Sequence, residues 1–303
     1  MDVVMKAPAD LLREAAAGVV LDREKEIELA LACFVAGGNL LVEDVPGVGK
    51  TTLVKTLARL LGLEFKRVQF TNDLLPADIL GGRVFDPARR EFTFHPGPIF
   101  AQLVLGDELN RASPRTQSAV LQAMDEHEVT IEGETHRLPD PFLFVGTQNP
   151  REHAGTAPLP ESQLDRFLMR IELGVPSRET HRRLLARDNG NDLRAEDLAP
   201  VASPGELLEW RAAAARVHVS DAVADYILDL GTAALSRGAH LSPRAAIGLQ
   251  RTARALAFLR GRPHVLPDDV QELFPFVAAH RLQQFASDPA DLVRTILRET
   301  RVP

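Results

Sequence analysis

The sequence predicts an α/β domain around a mainly parallel β-sheet, followed by an all-helical domain. Up to about residue 173, short apolar runs of strand length alternate with helical patterns, which is typical of such a sheet. After residue 177 the strand signals stop and helical patterns dominate. The length of 303 residues also favours two domains, which we expect at residues 1–176 and 177–303.

The first domain contains five candidate strands, at residues 39–43, 64–70, 103–106, 142–147 and 167–173. A helix with leucines on one face is expected over residues 51–61. A second helix is expected to begin after Ser113, an N-cap followed by Pro114, and to run to about Glu126. Residues 83–94 and 128–138 alternate around turn signals, which predicts two β-hairpins.

The second domain is predicted to consist of helices at about residues 177–187, 203–217, 220–237, 242–261, 267–283 and 289–300. Ser203-Pro204 and Ser242-Pro243 are N-cap and proline pairs that mark helix starts. The polar stretch 188–192, which contains Gly190, is the expected loop or linker.

Composition and charge exclude several classes of protein. The net charge of −7 argues against a general role on nucleic acids or membrane surfaces, because phosphate backbones attract basic proteins. The single cysteine, Cys33, lies in an apolar helix-like stretch and is expected to be a buried structural thiol. No uncharged apolar run is long enough to span a membrane and no leader pattern is present, so a cytoplasmic protein is expected.

Residues 44–51 (DVPGVGKT) follow an apolar strand and open a helix, which is the context of a phosphate-binding loop. Lys50 would reach the β- and γ-phosphates of ATP, and the Thr51 hydroxyl would ligate Mg²⁺. Asp44 stands where the general pattern has glycine, so we expect its carboxylate to point away from the phosphates. The predicted nucleotide-binding residues are Pro46, Gly47, Val48, Gly49, Lys50, Thr51 and Thr52.

The strand predicted at 103–106 ends in two acids, Asp107 and Glu108. In a strand parallel to the one before the loop, Asp107 would lie near Mg²⁺ and Glu108 would act as the general base on the attacking water. At the end of the next predicted strand, Asn149 is the first candidate to hold that water and Thr147 is the second.

Two arginines complete the predicted catalytic set. Arg166, just before the last strand of the first domain, would project into the site of a neighbouring subunit. The alternative for Arg166 is an internal ion pair with an acid such as Asp165. Arg244 opens a helix of the second domain and would reach the γ-phosphate from there; its alternative is a solvated residue in a first helical turn.

These elements, in this order, resemble the AAA+ superfamily, and the finer sequence is similar to the MoxR family of AAA+ ATPases over almost the whole chain. The residues that carry the resemblance are 41–51 (LVEDVPGVGKT), 75–81 (LPADILG), 94–100 (FHPGPIF), 107–114 (DELNRASP), 147–150 (TQNP), 159–169 (LPESQLDRFLM) and 242–245 (SPRA).

The resemblance implies insertions at about 81–98 and 128–139, which coincide with the two predicted hairpins, and a helical lid domain. It also implies a homo-oligomeric ring, in this family a hexamer, and a partner with a von Willebrand factor A domain. The adenine pocket would include Val19 and Val20, where Leu21-Asp22 replaces the usual Gly-Gln pair.

The resemblance also implies a chaperone-like ATPase that matures protein complexes, sometimes by metal or cofactor insertion, with a client that the sequence does not identify. One alternative is an AAA+ ATPase that acts on nucleic acid, against which the acidic balance argues. Another is a slowly hydrolysing, nucleotide-switched subunit of a chelatase-like assembly. That protein would use the same site, so the residues leave this alternative open.

Overall fold

The structure is a computed structural model that describes residues 8–88, 90–149, 157, 159–186 and 194–303. The predicted linker at 188–192 and Pro150 lie outside the described residues. The strands are β1 (Leu40–Glu43), β2 (Phe65–Gln69), β3 (Gly81–Asp86), β4 (Glu91–Pro96), β5 (Leu103–Asp107), β6 (Glu128–Ile131), β7 (Glu134–Arg137), β8 (Leu143–Gln148) and β9 (Met169–Ile171).

Five of these strands form one parallel sheet in the order β2-β5-β8-β1-β9. The other four form two antiparallel hairpins, β3–β4 and β6–β7, at the positions predicted for the insertions. Because all five sheet strands are parallel, their carboxyl ends share one edge of the sheet and their amino ends share the other.

The helices of the first part are α1 (Pro8–Ala16), α2 (Glu24–Val35), α3 (Lys50–Leu60), α4 (Pro76–Leu80), α5 (Pro114–Glu126) and α6 (Glu161–Leu164). Those of the second part are α7 (Arg178–Ala186), α8 (Pro204–Ala215), α9 (Asp221–Ser236), α10 (Pro243–Leu259), α11 (Pro267–Leu282) and α12 (Pro289–Glu299). The predicted fold, an α/β core followed by helices, is confirmed, and the short helices α4 and α6 are additions to it.

Both faces of the sheet are buried, as expected for parallel strands. Leu40 and Val42 of β1 belong to a core shared with α1, α2, α3 and the C-terminal helices. Leu41, on the opposite face of the same strand, packs in a second core with α4 and α5. The helical part is joined to the first core, because α10 packs on α2 and α11 packs on β9.

Cys33 is fully buried in α2, which confirms the prediction of a structural thiol. Burial raises the pKa of the thiol to about 12, which agrees with a structural role. Each helix in the described ranges is too short or too polar to cross a lipid bilayer.

Candidate functional site

The predicted phosphate-binding loop lies between β1 and α3 at the carboxyl edge of the sheet. Gly47 and Gly49 have φ angles of 84° and 98°, in the left-handed region that favours glycine. Gly49 is the N-cap of α3, so the first turn of that helix presents unpaired backbone N–H groups to the loop. Such a helix terminus, combined with an exposed glycine loop, is suited to bind phosphate.

Lys50 lies between this loop and the acids at the end of β5. Its Nζ donates a hydrogen bond to the carbonyl oxygen of Asp44 at 2.5 Å. Burial lowers the pKa of Lys50, while the negative charges of Asp44, Asp107 and Glu108 oppose that shift. The lysine of the loop is therefore close enough to interact with both strand-end carboxylates.

The Asp44 carboxylate points away from the loop, as predicted. One oxygen accepts from the N–H of Val45 at 2.8 Å. The other accepts from the N–H groups of Leu173 and Gly174 at 2.8 and 2.6 Å. Asp44 thus fastens the start of the loop to the segment that follows β9.

Replacing Asp44 with alanine should lower the free energy of unfolding by about 1–3 kcal/mol, because three backbone N–H groups lose their acceptor. Urea unfolding of the two proteins measures the difference. Asp44→Asn, which keeps one carbonyl oxygen, is the matched control and should lose less. Equal stability of Asp44→Ala and the unchanged protein would show that water replaces the carboxylate at no cost.

Asp107 and Glu108 are held by residues that the sequence did not single out. Arg67 Nη2 lies 2.6 Å from Asp107 Oδ2. Gln69 Nε2 and Arg111 Nη1 each donate to Glu108 Oε2 at 2.8 Å. Arg67 and Gln69 belong to β2, so they meet the acids only because β2 pairs with β5. That pairing is not visible in the local pattern of residues.

Thr147 connects the two acids to β8. Its fully buried hydroxyl donates to Asp107 Oδ1 at 2.6 Å and accepts from the N–H of Glu108 at 3.0 Å. Asn149, the first candidate from the sequence, is half-buried just beyond the end of β8. The structure therefore brings the second candidate into direct contact with the acids, and the role of Asn149 stays a prediction.

The residues at this edge fit Mg²⁺. Thr51 lies in the first turn of α3. The carboxylate of Asp107 lies close enough to Lys50, at the end of the phosphate-binding loop, for its charge to raise the lysine pKa. No cluster of three or more His, Cys, Asp or Glu side chains suited to a metal occurs in the part of the chain described above. Magnesium in nucleotide sites uses one or two protein oxygens and takes its other ligands from water and phosphate, so a threonine hydroxyl and one carboxylate suit it.

An apolar cavity of about 110 Å³ adjoins the loop. Val19 and Val20, predicted from the resemblance, line it together with Val48 and Thr52. Its remaining wall consists of Leu21, Arg23, Gly49, Leu53, Leu173, Pro176 and Thr180. The size and lining suit a flat, largely apolar group such as a purine base beside a phosphate site. Leu173, Pro176 and Thr180 were not predicted, because they come from a segment distant in sequence.

Arg166 and Arg244 lie at the opposite edge of the sheet. Both line a cavity of about 450 Å³ together with Gly38 and Asn39, which precede β1. The loop follows the carboxyl end of β1, and that strand of four residues alone is about 13 Å long. Within one copy, Arg244 therefore lies at the end of β1 opposite to the phosphate-binding loop, and its contact with a γ-phosphate stays a prediction.

The two arginines have different surroundings. Arg244 Nη2 contacts Asp125 Oδ2 at 3.2 Å, and both side chains are substantially exposed. Arg166 forms no ion pair with any of the residues that the structure describes. Its neighbour Asp165 pairs with Arg281 instead, at 2.7 Å, so the internal pair considered for Arg166 is not formed.

Comparison with known families agrees with this geometry. Residues 39–169 match the ATPase family associated with various cellular activities (AAA), and residues 232–300 match the AAA lid domain. A solved structure of a provisionally named ATPase from Cytophaga hutchinsonii superposes with a TM-score of 0.87 at 35% identity, over 97% of this chain and 94% of that one. The fold and the phosphate-binding loop thus define an AAA+ ATPase with a helical lid.

Proteins of similar sequence narrow the class of AAA+ ATPases to one family. The chaperone MoxR1 of Mycobacterium tuberculosis is 41% identical over 87% of this chain and 72% of its own length. The protein MoxR of Paracoccus denitrificans is 32% identical over 88% and 85%, respectively. The uncharacterized protein YeaC of Bacillus subtilis is 41% identical over 91% and 88%. This chain belongs to the MoxR family of AAA+ ATPases.

Proposed function

We propose that this chain hydrolyses ATP with Mg²⁺ in a ring of identical subunits and uses the energy to remodel client protein complexes. One observation carries the proposal: Lys50 lies beside Asp107 and Glu108 at one edge of the sheet, whereas Arg166 and Arg244 lie at the other. A complete hydrolytic site then requires the edge of one copy that carries Lys50 and the edge of its neighbour that carries the two arginines.

Each residue at the carboxyl edge has a chemical role in this proposal. The backbone of residues 46–49 and the Lys50 ammonium bind the phosphates, and Thr51 and Asp107 hold Mg²⁺. Mg²⁺ would supply charge neutralisation on the β- and γ-phosphate oxygens. Both oxygens of Asp107 already have protein partners, which favours contact with the ion through its bound water.

Glu108 is the proposed general base. It accepts a proton from water as the water oxygen forms a bond to the γ-phosphorus, and the bond from that phosphorus to the bridging oxygen of ADP breaks. Gln69 and Arg111 fix the carboxylate from two sides. Thr147 fixes the backbone N–H of the same residue, and we propose that Asn149, just beyond the end of β8, orients the water.

The two arginines would act on the nucleotide of a neighbouring copy. Arg166 carries a charge that no described residue neutralises, and the pair of Arg244 with Asp125 is exposed and therefore weak. A head-to-tail contact of identical subunits closes into a ring when its rotation permits. We propose the hexamer that is usual for the family, with residues 1–176 as the nucleotide-binding core and 177–303 as the lid.

The hairpin β3–β4 is the proposed contact with a client. Val84, Phe85 and Phe92 are 52%, 48% and 58% exposed, and the two aromatic rings lie 5.3 Å apart. Exposed apolar groups of this size suit a protein partner better than a phosphate backbone. One relative is named chaperone MoxR1, which supports a protein client. Besides the client, we propose a partner protein with a von Willebrand factor A domain, which the family resemblance implies.

Replacing Lys50 with alanine tests the nucleotide site directly. Loss of a charged hydrogen bond to phosphate is worth about 1.5–3 kcal/mol, so ATP should bind roughly 10- to 100-fold more weakly. Calorimetric titration with ATP and Mg²⁺ measures the affinity. Lys55→Ala is the matched control, because Lys55 lies on the same helix and pairs with Glu196 at 3.5 Å rather than with the acids at the end of β5. Unchanged affinity in Lys50→Ala would reject the site.

A further inference from the structure

The loop that carries Arg166 is bound by the buried guanidinium of Arg281 in α11, and His280 Nε2 also lies 3.2 Å from the carbonyl oxygen of Phe167. The Arg281 side chain is 4% exposed. Its Nε donates to Asp165 Oδ1 at 2.7 Å, and its Nη2 donates to the carbonyl oxygen of Phe167 at 2.8 Å. Further bonds reach the carbonyl oxygens of Asp165 at 3.2 Å and Leu168 at 3.3 Å. Arg281 therefore binds the chain on both sides of Arg166.

The same carboxylate connects this loop to the helix of Arg244. Ser242 Oγ lies 3.0 and 3.1 Å from the two oxygens of Asp165, to which it donates. As the N-cap of α10, that hydroxyl also accepts from the N–H of Ala245 at 3.1 Å. Arg244 stands in the first turn between these residues. One carboxylate thus fixes both the loop of Arg166 and the first turn that presents Arg244.

The junction formed by Arg281, Asp165 and Ser242 also determines which charged side chains can act on another molecule. Arg281 and Ser242 together occupy the carboxylate of Asp165, the acid that precedes Arg166 in the chain. His280 beside them is fully buried, and burial together with the charge of Arg281 holds its pKa well below the usual value. The junction therefore contains one positive and one negative charge, and Arg166 remains outside this pairing.

A buried ion pair costs desolvation energy and is weak evidence for stability alone, whereas it can fix one geometry. We infer that Arg281 is a positioning residue that, through Asp165 and Ser242, holds Arg166 and Arg244 as one rigid unit. This inference rests on the proposed role of the two arginines in a neighbouring site. A movement of the lid would then shift both arginines together.

Arg281→Lys tests the inference, because lysine keeps the charge but cannot reach the carboxylate and the flanking carbonyl oxygens at once. A misplacement of about 1 Å can cost about 100-fold in rate, so kcat for ATP hydrolysis should fall about 100-fold. The KM for ATP should stay within about twofold, since the phosphate loop is untouched. Arg260→Lys is the matched control: Arg260 joins α10 to Glu28 and Glu272 at the far end of that helix. Equal kcat in both variants would overturn the inference.

Mixed assemblies separate a positioning role from general damage. A Lys50→Ala copy carries intact arginines, so mixing it with Arg281→Lys should restore hydrolysis above the sum of the separate proteins. The reference mixture replaces Arg281→Lys with Arg166→Ala. Failure of the reference would reject the shared site itself. Success of the reference with failure of the Arg281→Lys mixture would overturn only the role of Arg281.

Should Arg281→Lys not fold, Ser242→Ala tests the same inference. Ser220 is also an N-cap serine, of α9, and accepts from the N–H of Val223 at 3.3 Å without a bond to Asp165. Both alanine variants lose a helix cap of the same kind, so the general loss of stability is matched. Only Ser242→Ala should lower kcat, by about tenfold, because only it frees the first turn of α10 from Asp165. Equal kcat in the two variants would contradict the positioning role.

Discussion

Replacing Arg166 with alanine is expected to lower kcat for ATP hydrolysis by about 10³- to 10⁵-fold, the range attributed to an arginine supplied to a transferring phosphoryl group. ATP affinity should change little, because Arg166 is proposed to stabilise charge that develops on the transferring phosphoryl group in the transition state rather than to bind ATP in the ground state. Steady-state hydrolysis and equilibrium ATP binding, measured on the same preparation, give the two quantities.

The control for Arg166→Ala is Arg237→Ala. Arg237 is the C-cap of α9, and its exposed side chain pairs with Glu299. That variant should hydrolyse ATP at the unchanged rate. A kcat for Arg166→Ala within about threefold of the control would mean that no phosphoryl group is stabilised by this residue.

Glu108→Gln is expected to bind ATP normally and to lower kcat by about 10²- to 10⁴-fold, the contribution typical of a general base. Glutamine preserves the shape of the side chain but cannot accept the proton of the attacking water. Rapid quench of a single turnover measures the chemical step, and nucleotide retained on the protein should be ATP rather than ADP.

Glu126→Gln is the matched control for that substitution, since Glu126 lies in α5 and contacts Gln122 on the surface. It should leave turnover unchanged. Full turnover in Glu108→Gln would remove Glu108 as the base and transfer that role to another group at the same edge.

Much of the fold could be predicted because its signals are local. Ser113-Pro114 and Ser242-Pro243 are caps that the helices confirm, with α5 beginning at Pro114 and α10 at Pro243. The loop at Lys50 likewise depends on neighbours in sequence. The strand predicted at 167–173 is shorter, Met169–Ile171, because Phe167 and Leu168 belong to the turn bound by Arg281.

The unpredicted parts of the site depend on contacts between distant segments. Arg67 and Gln69 meet the acids only through pairing of β2 with β5. Arg244 was correctly placed at a helix start, but the edge of the sheet that it faces follows from how α10 packs on α2. Arg281 sits in a helix of ordinary composition, and only its burial against Asp165 distinguishes it.

The central claim is that each hydrolytic site combines the phosphate loop of one copy with the arginines of another. Mixing Lys50→Ala with Arg166→Ala tests it most directly, since each variant lacks what the other supplies. In an equal random mixture of head-to-tail subunits, up to roughly one quarter of the sites should regain both parts, and ATPase activity should rise accordingly. A mixture no more active than the two variants measured separately would contradict the claim.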